Sequence, residues 1–234
     1  MARRLLVGIA LGLALLVVLD AIAARIGIAP GAIPKVPGTF AWTTSRAAGV
    51  TAFLALTMEL LFGLFLSTGV ADKLISRAQG AELHRWLSSI VLSLIAVHGL
   101  VLTADSFVGF DVLDALLPWL SSYRSFAVSL GVLAAYGALV VHISSRLRRR
   151  LGAKTWRRLH YLSFFVFVAG AAHGVLAGSD SHSRALQTVY IVSGTLVGAL
   201  SLYRVLASGT PRASRGLADV PVTPDARPKR HRAS

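Results

Sequence analysis

The sequence predicts an all-α integral membrane protein, a bundle of six helices, and three observations predict it. Of the 234 residues, 55% are hydrophobic and only 15% are charged, where a soluble domain carries about 25% charged residues. The apolar residues gather into six runs, each near the roughly 20 residues that a helix needs to cross the hydrocarbon core. The basic residues gather in alternate connections between those runs. The length suits one domain of several helices.

A short basic start, Met1 to Arg4, precedes the apolar run Leu5 to Leu19, which Asp20 stops. This gives a first span over 4–24. Its alternative is a signal peptide, with Ala21-Ile22-Ala23 as a small-residue cleavage site. Gly8 and Gly12 form a GxxxG, which reads as close helix packing. Arg25 to Ser45 holds Pro30, Pro34 and Pro37 and reads as a loop, so residues 1–44 form the first helix and an outer loop. The five remaining spans fall at 47–70, 84–103, 123–144, 159–177 and 185–207. Between them lie polar Asp72–Glu82, the loop Asp105–Ser122, the basic Arg146–Arg158 and the tight turn Gly178–Ser183. The apolar piece Val112–Leu120 within the second loop can form a short interfacial helix. Residues 45–207 make the core domain. Residues 208–234, proline-rich and charged, read as a disordered basic tail.

Six spans put both termini on one side. Arg25, Lys35, Arg46, Arg124 and Arg184 fall on the opposite side, and the other 19 of the 24 lysines and arginines fall with the termini. The positive-inside rule therefore predicts a multi-pass cell-membrane protein with both termini cytoplasmic. The net charge of +14 then reads as a strip facing anionic membrane lipid, not as a nucleic-acid site.

The chain has no cysteine. That excludes disulfides, thiolate-ligated heme, covalent heme attachment through C-x-x-C-H and cysteine-ligated iron–sulfur clusters. Methionine occurs only at Met1 and Met58. A metal or heme held inside must therefore be ligated mainly by histidine.

Four histidines meet that need. His84 and His98 bracket one apolar run, and His160 and His173 bracket another. Their separations of 14 and 13 residues correspond to about 21 and 20 Å along a helix. Both runs begin at a basic loop, so the two helices run in the same direction. His84 is then level with His160, and His98 with His173. Two facing histidines at one level can hold one heme iron from both sides, and two levels make two hemes between the third and fifth helices. Rotation is a weaker match, because at 100° per residue 14 steps return to within about 40° of the start while 13 steps miss by about 140°. Classical zinc spacing is absent. A rival class is a transporter that uses the histidines for a metal ion or protons, which calls for broken helices and more polar groups near the midplane.

The stretches HRWLSSIVLSLIAVHG (84–99) and WRRLHYLSFFVFVAGAAHG (156–174), on six apolar segments, resemble the ferric reductase-like transmembrane domain. That family includes ferric reductases, the NADPH oxidases and the heme-binding membrane subunit of a bacterial methionine-sulfoxide reductase system. The resemblance covers about residues 45–205, and SSYR before the fourth span together with LRRRLG looks like the bacterial members. It implies two b-type hemes, one held by His84 with His160 and one by His98 with His173. It implies an oxidoreductase that passes single electrons to an acceptor on the outer side, such as a ferric chelate, oxygen or a partner redox protein. Many relatives continue into a flavin- and NADPH-binding domain and this chain stops, so a separate flavin reductase carrying FAD or FMN, or a quinol, is the expected donor.

Heme propionates need cations. Arg85 beside His84 and Arg157 or Arg158 beside His160 are placed for the inner heme, and Arg46 and Arg124 for the outer heme or an anionic substrate. Topogenic charge or snorkelling explains each of them as well. Glu59, near the middle of the second span, is costly there and is a functional candidate for a proton or heme contact. Phe164, Phe165 and Phe167 lie between the histidines and can pack between hemes. Gly99, Gly170 and Gly174 can admit a porphyrin close to the backbone. His142 reads as a surface or capping residue, and His182 as part of a solvated turn.

Overall fold

The computed structural model describes Arg25 and residues 40–69, 75–106 and 108–208. The predicted first span at 4–24 and the tail from 209 lie outside the described residues. Among the described residues seven helices follow one another: α1 (Phe40–Thr68), α2 (Arg77–Thr103), α3 (Val112–Leu116), α4 (Ser125–Arg146), α5 (Arg148–His160), α6 (Leu162–Ala177) and α7 (Arg184–Ser208). Among the described residues, five stretches are long and apolar enough to cross a membrane: α1, α2, α4, α5 with α6, and α7. The regular structure of the described residues is thus helical, and the chain is a multi-pass membrane protein.

Three boundaries differ from the expectation, each for a local reason. Helix α1 begins at Phe40, inside the stretch read as a loop, because no proline follows Pro37 to stop it. Helix α2 begins at Arg77, seven residues before the apolar run. Ser76 caps it: its side chain accepts from the Gln79 backbone N–H at 3.3 Å, and the Gln79 side chain accepts from the Ser76 N–H at 3.3 Å. This reciprocal box satisfies donors that the first turn leaves open, so a polar prologue extends the span. The basic stretch 146–158, read as a loop, is largely the helix α5. Arginine, leucine, alanine and lysine are good helix formers. Gly152, at φ 75°, turns the chain within it, a conformation that a residue with a Cβ adopts only at a cost.

Helix α3 covers the first half of the predicted interfacial piece. Asp111 caps it by accepting from the N–H groups of Leu113 (2.7 Å) and Asp114 (3.2 Å). It ends at Leu116 because Pro118 holds Leu117 in an extended conformation, φ −110° and ψ 121°. Arg25 binds both carboxylates of this cap, Asp111 at 2.6 Å and Asp114 at 3.3 Å. The Tyr136 hydroxyl donates to the Leu116 carbonyl and ties α3 to α4.

Helix α1 packs along α2, and α4 along α6. Phe53, Leu56, Leu60 and Leu61 of α1 meet Val91 of α2, Val166 and Phe167 of α6 and Val197 of α7 in one core. Close approach of α4 to α6 depends on Gly137, where a Cβ would stand 2.7 Å from a Val166 methyl. At the other end of α6, Arg124 donates to the Leu176 carbonyl at 2.6 Å and the Tyr123 hydroxyl to the Ala177 carbonyl at 3.2 Å. Both are carbonyls that a helix end leaves without an intrahelical partner. Arg124→Ala is expected to cost about 1 kcal/mol, read as a lowered Tm of the detergent-purified protein.

Candidate functional site

The four histidines meet in two pairs. The rings of His84 and His160 lie 6.1 Å apart between centroids, at 74° to one another. Those of His98 and His173 lie 6.0 Å apart at 76°. The pairing by depth therefore holds, and it requires α2 and α6 to run in the same direction. Between His160 and His173 the helix is interrupted at Tyr161, where α5 gives way to α6. There the Phe164 N–H bonds to the Tyr161 carbonyl at 3.2 Å, a tighter i→i+3 turn that breaks the α-helical phase.

A metal between two imidazoles, about 2.0–2.1 Å from each nitrogen, puts the ring centroids roughly 6 Å apart. Both pairs have that separation. Each pair offers two donors, whereas a bare ion such as zinc takes four. Among the described residues no three of His, Asp and Glu gather as a metal site. The pairs thus suit a metal whose remaining positions are filled by a macrocycle.

The nitrogen left for such a metal is set by the neighbours. His98 Nδ1 lies 2.8 Å from the Ser45 carbonyl and 3.1 Å from the Ser45 hydroxyl. His173 Nδ1 lies 2.8 Å from the Ala127 carbonyl. With Nδ1 engaged, Nε2 of each ring is free to ligate, the usual arrangement for a metal-binding histidine. The rings also need room. A Cβ at Gly131 would stand 2.6 Å from His173 Nδ1, one at Gly49 2.9 Å from His98 Nδ1, and one at Gly63 3.2 Å from the His84 ring. Sequence reasoning missed these glycines and singled out Gly99, Gly170 and Gly174 instead. A signal was present: Gly49 and Gly63 are 14 residues apart, the spacing of His98 and His84 on the neighbouring helix.

Around His98 and His173 opens a cavity of about 720 Å³, within the range of roughly 300–1,000 Å³ typical of ligand sites. Val50, Phe53, Ile95, Val132 and Val166 give it apolar walls, and Gly99 and Gly170 line it. Nothing stands within 4 Å of a Cβ built on Gly99, whereas Gly174 packs against the Tyr190 hydroxyl. Arg46 and Asp180 both line the cavity and form an ion pair. Arg124 caps α6 instead, so only one of these two arginines faces the cavity as expected.

At the other pair, Trp156 stacks on His160 (centroids 4.9 Å) and Arg148 lies over the Trp156 ring at 4.1 Å. Arg204 lies over Tyr161 at 5.9 Å. Arg85 and Arg158 are exposed beside their histidines. The Ser88 hydroxyl lies between the Glu59 carboxyl and His142 Nδ1, at 3.0 Å from the latter, so the half-buried His142 has a partner across helices. Phe167 is buried and stacks on Phe53 at 5.6 Å, while Phe165 is exposed. His182 is exposed in its turn, as expected.

No curated protein and no solved structure gives a significant match to the chain. A family described as ferric reductase like transmembrane component matches residues 41–171, a segment that holds His84, His98 and His160 and ends two residues before His173. That segment is more than half of the chain, and the protein therefore belongs to the ferric reductase like transmembrane component family.

Proposed function

We propose that this chain is a transmembrane b-type cytochrome. It passes single electrons from a donor at the basic side, a separate flavin reductase or a quinol, to an acceptor on the far side such as a ferric chelate, oxygen or a partner redox protein. Family membership supports a role in membrane electron transfer in general. The observation that carries the specific reading is the pair of ring separations, 6.1 and 6.0 Å, at two levels of the same two helical stretches.

In this reading His84 and His160 hold one heme b, and His98 and His173 hold a second. Heme iron supplies the one-electron chemistry. The chain's own residues do the rest. Two histidines would hold each iron, leaving it no open position, so a small acceptor would react at the heme edge. Arg85 and Arg158 would hold the propionates at the basic end. Gly49, Gly63 and Gly131 leave the space that the rings occupy, and the apolar walls keep water out. Both termini would face the cytoplasm, an orientation that the distribution of lysine and arginine supports.

Reduced-minus-oxidised absorbance of the purified protein tests this. A b-type spectrum is expected. His98→Ala with His173→Ala should remove about half of it, one of two hemes, and adding His84→Ala with His160→Ala should remove the remainder. Protein that stays colourless after expression with added heme would refute the proposal.

A further inference from the structure

The two histidine pairs are held differently. At the pair of His98 and His173, both Nδ1 atoms face carbonyls at 2.8 Å. Ser45 adds a second acceptor. Its hydroxyl proton goes to the His98 carbonyl at 2.9 Å, so its oxygen is left to accept from His98 Nδ1–H at 3.1 Å. Ser45 itself is buried. At the pair of His84 and His160, neither Nδ1 makes a hydrogen bond among the described residues. The Glu59 backbone lies beside His84 without completing one.

An imidazole that donates its second N–H to a carbonyl is a more basic, more electron-releasing ligand. Such a ligand favours the oxidised iron and lowers the potential, and hydrogen bonding and local charge are the levers a protein has on that potential. Charge acts in the same direction. Arg148 and Arg204 stand near His160 through Trp156 and Tyr161, and cations favour the reduced, less positive iron. At the other pair Arg46 is neutralised by Asp180.

Resting on the heme reading above, we propose that Ser45 is a positioning residue that sets the His98–His173 site at a lower potential than the His84–His160 site. The site bordering the cavity is then the stronger reductant. An electron resides at the His84–His160 level until an acceptor withdraws it from the other, which limits discharge when no acceptor is present.

Spectroelectrochemistry of the heme-loaded full chain tests this, following the b-type absorbance against applied potential. Two components are expected. His173→Ala should delete the lower one, and Ser45→Ala should shift the lower one upward while the higher one stays in place. Ser45→Thr, which keeps the hydroxyl, should return it to the wild-type value. Heme content, measured alongside, must equal wild type in both Ser45 variants, which separates tuning from loss of the site. The inference is overturned if His173→Ala deletes the higher component, if Ser45→Ala leaves both in place or moves the higher one, or if Ser45→Ala loses heme. A protein that takes up no heme overturns the proposed function with it, whereas two loaded hemes with any of those results overturn only the role of Ser45.

Discussion

In the two-heme reading proposed above, Gly131→Ala should cost the protein one heme. The new methyl carbon would stand 2.6 Å from His173 Nδ1 and 2.8 Å from its Cε1. Real Cβ contacts are not that short, so the ring or the helix must move. The ring has little freedom, since Nδ1 is bound to the Ala127 carbonyl one turn away on the same helix α4. Moving the ring breaks that bond and displaces it relative to His98. A histidine displaced by even 1 Å would no longer reach a metal that it would hold at about 2 Å. Heme per protein, measured as extracted heme against protein concentration, should fall from two to about one. The same change at Gly49 meets His98 Nδ1 at 2.9 Å and should have a similar but smaller effect. At Gly63 the nearest ring atom is 3.2 Å away, which a small adjustment absorbs, and both hemes should remain. The order Gly131, Gly49, Gly63 distinguishes steric displacement of the histidines from a general loss of stability.

Val91→Asp should be the most damaging single change in the core. Val91 is 1% exposed and lies seven residues from each histidine of α2. It packs with Phe53, Val166 and Phe167. A carboxylate at the centre of a membrane helix costs about 2.5–3.5 kcal/mol on insertion scales, and the lost valine packing adds about 1–2 kcal/mol. Together these approach the total of roughly 5–15 kcal/mol that keeps a domain folded. Folded protein recovered from membranes should fall severalfold, and what remains should melt well below wild type. Val91→Ala loses packing without burying a charge and should retain most of the yield with only a modest drop in Tm.

The bundle was legible because the bilayer simplifies the reading: an apolar run of the right length has few alternatives. The pairing of His84 with His160 and of His98 with His173 followed from depth and direction alone, since a basic loop at the start of each run fixes both. What was not legible depends on polar detail or on azimuth. The Ser76–Gln79 box extends α2 by seven residues into sequence that hydropathy assigns to a loop. The turn at Tyr161 is invisible to a count of residues, so the 13-residue spacing looked less favourable than it is. Arg124 could be assigned to a cofactor or to a helix end only once the Leu176 carbonyl was seen beside it. His142 lacked a partner in the sequence because Ser88, an ordinary residue on another helix, gives no sign of its contact.

The packed layer of Val91, Val166, Phe53 and Phe167 has an electrical consequence. It separates the two histidine levels, which stand about 21 Å apart along α2, with side chains that carry neither ions nor water. In the proposed reading an electron would tunnel through such a layer while compensating charge could not follow, so each transfer would be electrogenic. The levels span about two-thirds of a roughly 30 Å hydrocarbon core. A voltage of 100 mV, worth about 2.3 kcal/mol for a charge crossing the whole membrane, therefore biases the electron between them by about 1.5 kcal/mol, close to tenfold in occupancy. With the basic end inside, as proposed, an interior-negative membrane would drive the electron toward His98 and His173 and offset the uphill step attributed to Ser45. The energised state of the membrane would then act as a throttle on the wire.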